Sequence, residues 1–151
     1  MNEDQANRKY NVLYKDMLKL FGHDGMTMTD ELTKIGKKLF GAKYLGTFPQ
    51  DKLPEKIYTK PSFYAIINVD TAGMSGSHWT GIAGFPNSDK ILVFDSFGRA
   101  AKKLLPTLRQ KKVVNTDLDA EQRIIQESCG QFSMAWLLFV EKYGLKNAKL
   151  I

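Results

Sequence analysis

From residue 129 to residue 143 the chain reads Cys-Gly-Gln-Phe-Ser-Met-Ala-Trp-Leu-Leu-Phe-Val-Glu-Lys-Tyr, and no other stretch limits the fold as strongly. Phe132, Ala135, Trp136, Phe139, Val140 and Tyr143 recur at helical spacing along one face. Met134, Leu137 and Leu138 make the opposite face apolar as well. A helix that is apolar all round cannot lie on a surface, so it belongs at the centre of a domain, between other elements.

The chain supplies such elements in order. Tyr10, Leu13, Tyr14, Met17, Leu20 and Phe21 predict a helix over 4–21, broken by Gly22 and Gly25. Thr29 is a plausible N-cap for a second helix, with Asp30 and Glu31 in its first turn, an apolar stripe of Leu32, Ile35 and Leu39, and Gly41 at its end. The segment 44–61 carries Gly46, Pro49, Pro54 and Pro61 and reads as irregular. Strands are expected at 63–69, 79–85 and 91–94, with turn chemistry at 86–89. A basic helical stretch over 99–110 and a short strand at 112–114 follow. Helices, then strands, then a buried helix make an α+β domain. Its expected form is compact: a central mixed or antiparallel sheet, flanking helices, and a buried helix that begins at Cys129. At 151 residues one domain, 1–151, with a real core is expected.

Bulk properties exclude more than they assign. Apolar content of 43% and charged content of 25% are ordinary for a soluble domain. No apolar run approaches membrane-spanning length, and Met1-Asn2-Glu3-Asp4-Gln5 lacks a secretory pattern, so no membrane association and no secretion are expected. One cysteine and two histidines rule out an internal disulfide and a cysteine-built zinc site, so no metal is expected. The net charge of +6 suits an acidic or polyanionic partner.

Cys129 is a candidate nucleophile. Ser128 before it and Gln131 three residues on form a capping-box pattern, which puts Cys129 in the first turn of the buried helix. The positive end of a helix stabilises a thiolate, and the free N–H groups of the first turn are ready donors to an oxyanion. His78 opens one strand and Asp95 closes the next. The two are nearly equidistant from a turn centred near Asn87, which makes them direct or diagonal cross-strand neighbours. An aspartate so placed orients an imidazole, and an imidazole activates a thiol. Gln122 and Gln126 are candidates for a side-chain oxyanion donor. Each residue also has a structural reading: Cys129 as a small buried apolar group, His78 as a hydrogen-bonded structural histidine, Asp95 as a turn former and Trp79 as core. Their joint occurrence favours chemistry. His23, in a Gly/Asp loop, reads as solvated.

Ser77-His78-Trp79, Val93-Phe94-Asp95-Ser96-Phe97-Gly98 and Ser128-Cys129-Gly130-Gln131-Phe132 together resemble the adenain family. These are the adenovirus maturation proteases and their relatives in other large DNA viruses, virophages and Polinton-type elements, in the clan of the SUMO-specific proteases. Tyr44-Leu45-Gly46-Thr47-Phe48, the 63–68 strand and Thr71-Ala72-Gly73 agree, so the resemblance covers a core of 29–143, preceded by a helical extension over 1–25. It implies a cysteine endopeptidase with an adenain-like fold, in which Cys129 attacks a peptide carbonyl, His78 moves the proton and Asp95 supports His78. By the family's spacing Gln122 serves the oxyanion hole, with Gln126 as fallback. Trp79 and Gly130 neighbour the site. Substrates would be viral capsid and core precursors, and the place of action the virion interior and the infected cell, cytoplasm or nucleus.

Departures are visible. The acid is aspartate where adenovirus enzymes usually carry glutamate, and a second lobe is expected to be missing or reduced. With no second cysteine, activation by a disulfide-linked peptide is excluded, whereas a non-covalent peptide stays open and no cofactor is required. Adenain also uses DNA, and Arg99, Lys102, Lys103, Arg109, Lys111 and Lys112 form a basic cluster suited to phosphates or, equally, to a solvated helix face. The alternatives are a ubiquitin-like-modifier deconjugase of the same clan and a non-catalytic nucleic-acid or capsid-binding protein on a protease fold. A monomer is expected.

Overall fold

In the computed structural model, which describes residues 1–59, 63–70, 78–85, 88–118, 120–121 and 127–151, the apolar run is helix α5, Cys129–Ala148. Its continuity is broken at Gly144, whose φ of 84° only glycine adopts at low cost. The last turn thereby folds back, and Ala148 O accepts from Trp136 Nε1 at 3.1 Å. Trp136 is fully buried and stacks on Phe94 with centroids 5.4 Å apart. It reaches the sheet because residue 81 is glycine: a Cβ there would stand 3.1 Å from the Trp136 ring.

The sheet has five strands in the order β1 (Tyr44–Pro49), β2 (Tyr64–Asn68), β3 (Trp79–Gly84), β4 (Ile91–Phe94) and β5 (Val113–Asn115). The two outer pairings are parallel and the two inner ones antiparallel. Both faces are covered, which is why the inner strands read as unbroken apolar runs. Tyr64, Ile66, Ala83, Leu92 and Phe94 face α5 and the helices α1 (Glu3–Phe21) and α2 (Thr29–Phe40). Ile67, Ile82, Ile91 and Val93 face the short helices α3 (Lys56–Thr59) and α4 (Ala101–Leu104). Each such aliphatic side chain contributes about 1.5–3 kcal/mol by leaving water. The α+β class and the mixed sheet are as the sequence predicts.

Several local expectations are corrected. The segment 44–61 is not irregular throughout, because its first six residues pair with β2 as an edge strand. Gly46, at φ 145°, takes up a register shift there. The stretch 99–110 is not one helix: α4 ends at Leu104, just before Pro106, which cannot continue it. Thr29 is the first residue of α2 and Met28 the cap, without a side-chain capping bond. The capping box at α5 is absent. Ser128 lies at φ −95°, ψ 28°, and its hydroxyl bonds Tyr14 instead. Gln131 turns away to donate to the carbonyls of His23 and Gly25, both at 3.0 Å. The turn centred on Asn87 and the Thr71-Ala72-Gly73 loop lie outside the described residues.

The extension over 1–25 is packed into the core. Tyr10, Leu13, Met17 and Phe21 of α1 are buried, and Tyr14 stacks on Phe132 with centroids 3.8 Å apart. Tyr10 OH donates to Phe132 O at 2.8 Å, and burial raises its phenol well above the usual range, so it stays a donor.

Candidate active site

Three chain segments converge where β3 begins and β4 ends, at one end of the two inner strands. In the β3–β4 ladder Gly81 stands opposite Phe94. One step further, Thr80 is carried opposite Asp95, so His78 is the diagonal neighbour of Asp95 on the same face. His78 Nε2 donates to Asp95 Oδ1 in a short hydrogen bond. The backbone at His78 is fixed by Val69 N, which donates to His78 O at 2.9 Å.

Cys129, the first residue of α5, meets this pair from above the sheet. Trp79 N donates to Cys129 Sγ at 3.5 Å, and Cys129 lies near enough to His78 for the thiol to favour the charged imidazole. Because Nε2 is committed to Asp95, Nδ1 is the nitrogen left for the thiol. All three are largely enclosed, with exposures of 8% for His78, 3% for Asp95 and 9% for Cys129. Burial pulls the His78 pKa down, but the bonds and charges of Asp95 and Cys129 outweigh it, so the net shift is upward from 6.5. For Asp95, burial pushes upward and is outweighed by His78 and Arg99, which hold its carboxyl below the ordinary 3.8. The arrangement keeps a carboxylate charged and an imidazole readily protonated next to a thiol.

A loop between α1 and α2 connects the two sides of the site. Trp79 Nε1 donates to Thr27 O at 3.1 Å, and the Thr27 side chain lies so close to Gly130 that a Cβ there would collide with it. Gly130 is therefore required by packing against this loop, beside any role next to a substrate. His23 is exposed, as expected, and its Nε2 hydrogen-bonds Glu31 Oε2 at 2.7 Å.

Gln122 and Gln126 lie outside the described residues. The basic cluster is split. Arg99 bonds Asp95, Arg109 pairs with Glu55 at 2.5 Å, and Lys112 pairs with Asp89 at 3.2 Å. Lys102, Lys103 and Lys111 remain exposed. The expectation of one continuous basic helix face is therefore corrected: residues 105–109 are not helical, and Arg99 belongs with the buried carboxylate. Sequence reasoning missed this contact, although Asp95 and Arg99 have the i, i+4 spacing of an ion pair and Gly98 between them signals a turn. Among the described residues no cluster of His, Cys, Asp and Glu suits a metal ion, and no helix is long and apolar enough to cross a membrane.

Comparison with known proteins agrees in part. No protein-family model matches the chain. A protease of bovine adenovirus 2 is 34% identical over 76 residues, which is 50% of this chain. The match spans 37% of that protease's own length. The similarity suggests a protease-like relation, carried by a chain whose described residues bring a thiol, an imidazole and a carboxylate together.

Proposed function

We propose that the chain is a cysteine endopeptidase that cleaves viral capsid or core precursor proteins. The observation that carries this reading is the buried grouping of Cys129, His78 and Asp95, with the thiol on the first turn of α5. The partial similarity to a protease of bovine adenovirus 2 supports peptide hydrolysis.

In this mechanism His78, held by Asp95, takes the Cys129 proton on Nδ1, and the thiolate sulfur forms a bond to the scissile carbonyl carbon. The carbonyl π electrons move to oxygen. Free N–H groups of the first turn of α5 stabilise that oxyanion, with Gln122, or Gln126, as the proposed side-chain donor. On collapse the C–N bond breaks and the imidazolium protonates the leaving amine. Water, deprotonated by His78, then attacks the thioester, releasing the acid and regenerating the thiol. The bonds from His78 and Arg99 outweigh burial and keep Asp95 charged for the imidazolium at each proton transfer.

The test is iodoacetamide alkylation of the native protein across pH, read by mass spectrometry, beside cleavage of a precursor polypeptide. A thiol reactive near neutral pH that loses reactivity in His78→Ala supports the reading. A thiol whose reactivity ignores His78 sinks it.

A further inference from the structure

Only one oxygen of Asp95 faces His78. The other, Oδ2, accepts from the backbone N–H of Arg99 at 2.9 Å and from Arg99 Nε at 3.0 Å. Asp95 O also accepts from Gly98 N at 2.9 Å, so the chain after β4 curls tightly round the carboxylate. Gly98, at φ 73°, makes that curl possible. The Arg99 guanidinium lies 5.0 Å from the centroid of the Phe97 ring. Phe97 in turn stacks on the His78 imidazole, with centroids 5.1 Å apart and planes at 30°. The guanidinium thus meets the His–Asp pair twice, directly at Asp95 and through an aromatic layer at His78.

We propose that Arg99 is a positioning residue of this site, locking the carboxylate toward His78 and limiting how strongly the imidazole holds its proton. The inference rests on the catalytic reading above. A buried carboxylate with a single donor is free to rotate about its side-chain bonds, whereas a second oxygen held by two further donors fixes the plane in which Oδ1 points at the imidazole. The guanidinium is permanently charged, so it competes with the imidazolium for the same negative charge. Without it, Asp95 would act on His78 alone, and the imidazolium would persist to higher pH. An imidazolium held too firmly is a poor donor to a leaving amine, so a fixed competing cation suits repeated proton transfer.

Among the described residues, the charged and titratable groups that act on the pair are Cys129 from α5 and Arg99 from the turn after β4, beside His78 and Asp95 themselves. Glu121 approaches through its N–H, which donates to Ser96 O at 2.7 Å, and its charge acts on Tyr10. The backbone bond from residue 99 survives substitution, so a side-chain change isolates the guanidinium.

The test is an NMR titration of the His78 Cε1–H signal, which does not depend on turnover. The chain has two histidines, so His23→Gln leaves a single imidazole to follow. Arg99→Gln should raise the His78 midpoint by roughly half to one pH unit, while Arg99→Lys, which keeps the charge, should leave it in place. Both variants should alkylate more slowly than the parent, because neither reproduces the guanidinium geometry. A midpoint unmoved or lowered in Arg99→Gln overturns the proposal, as does a midpoint that moves equally in Arg99→Lys. Alkylation that survives His78→Ala would instead sink the catalytic reading, and the titration would still decide the role of Arg99.

Discussion

The two halves of the candidate site are held in different ways. The His78–Asp95 half is local: adjacent strands set it by register, and a four-residue turn completes it with Arg99. The Cys129 half is assembled over long range. Helix α5 begins where Tyr14 OH bonds Ser128 Oγ at 2.9 Å, Tyr10 bonds Phe132 O, and Gln131 grips the 23–25 loop. A local half keeps its geometry if the rest of the chain loosens, whereas the other half depends on the N-terminal helix staying docked. Alignment of thiol and imidazole should therefore fail first on the α5 side.

The largest effect expected is from the chemistry common to both halves. Cys129→Ala and His78→Ala should each lower cleavage by at least about a thousandfold with the fold retained, because the groups act as a unit. Peptide cleavage with circular dichroism as a control checks this. Next comes Gly130→Ala, where the new methyl meets the Thr27 side chain. It should destabilise the protein by about 1–3 kcal/mol and misplace the first turn of α5, read by urea denaturation and by alkylation rate. A fully active, stable Gly130→Ala would show that the long-range half tolerates displacement and would dissolve the contrast.

Tyr14→Phe is gentler. It keeps the stack on Phe132 but removes the bond to Ser128, costing about 1 kcal/mol. It should lower the thermal midpoint while leaving the His78 titration unchanged, since the hairpin half does not need it. The hairpin half has its own signature in pH. Asp95 contributes stability above about 3.8 that is lost as pH falls through its lowered folded value. His78 contributes stability below about 6.5 that is lost as pH rises through its raised folded value. Urea midpoints should therefore peak between those limits, and His78→Ala should remove the alkaline decline. The smallest effect concerns polyanions: if the exposed Lys102 and Lys103 contact DNA, Lys102→Gln/Lys103→Gln should reduce the salt slope of binding by roughly 2. An unchanged slope would end that reading.

The legible features follow the same division. Apolar runs bounded by turn residues, and helical patterning, give the inner strands, the buried helix and the proximity of His78 to Asp95, because each is fixed by neighbours in sequence. Strand β1 was not legible, since Gly46 and Pro49 mask a ladder that only the edge of β2 creates. The partners of Ser128 and Gln131 were misassigned to each other, because local capping competes with contacts from α1 and its loop that no short window displays. Arg99 reads as part of a basic face because its carboxylate partner is buried while its own side chain is 45% exposed.

The bond from Trp79 Nε1 to Thr27 O has an optical consequence. The protein has two tryptophans, Trp136 fully enclosed and Trp79 partly open beside His78 and the 23–27 loop. Their emission should separate into a blue, environment-insensitive component and a redder one that shifts when the loop releases the indole. In a Trp136→Phe background the remaining fluorescence would report, without any label, whether the thiol-bearing helix and the histidine strand are in register at a given moment.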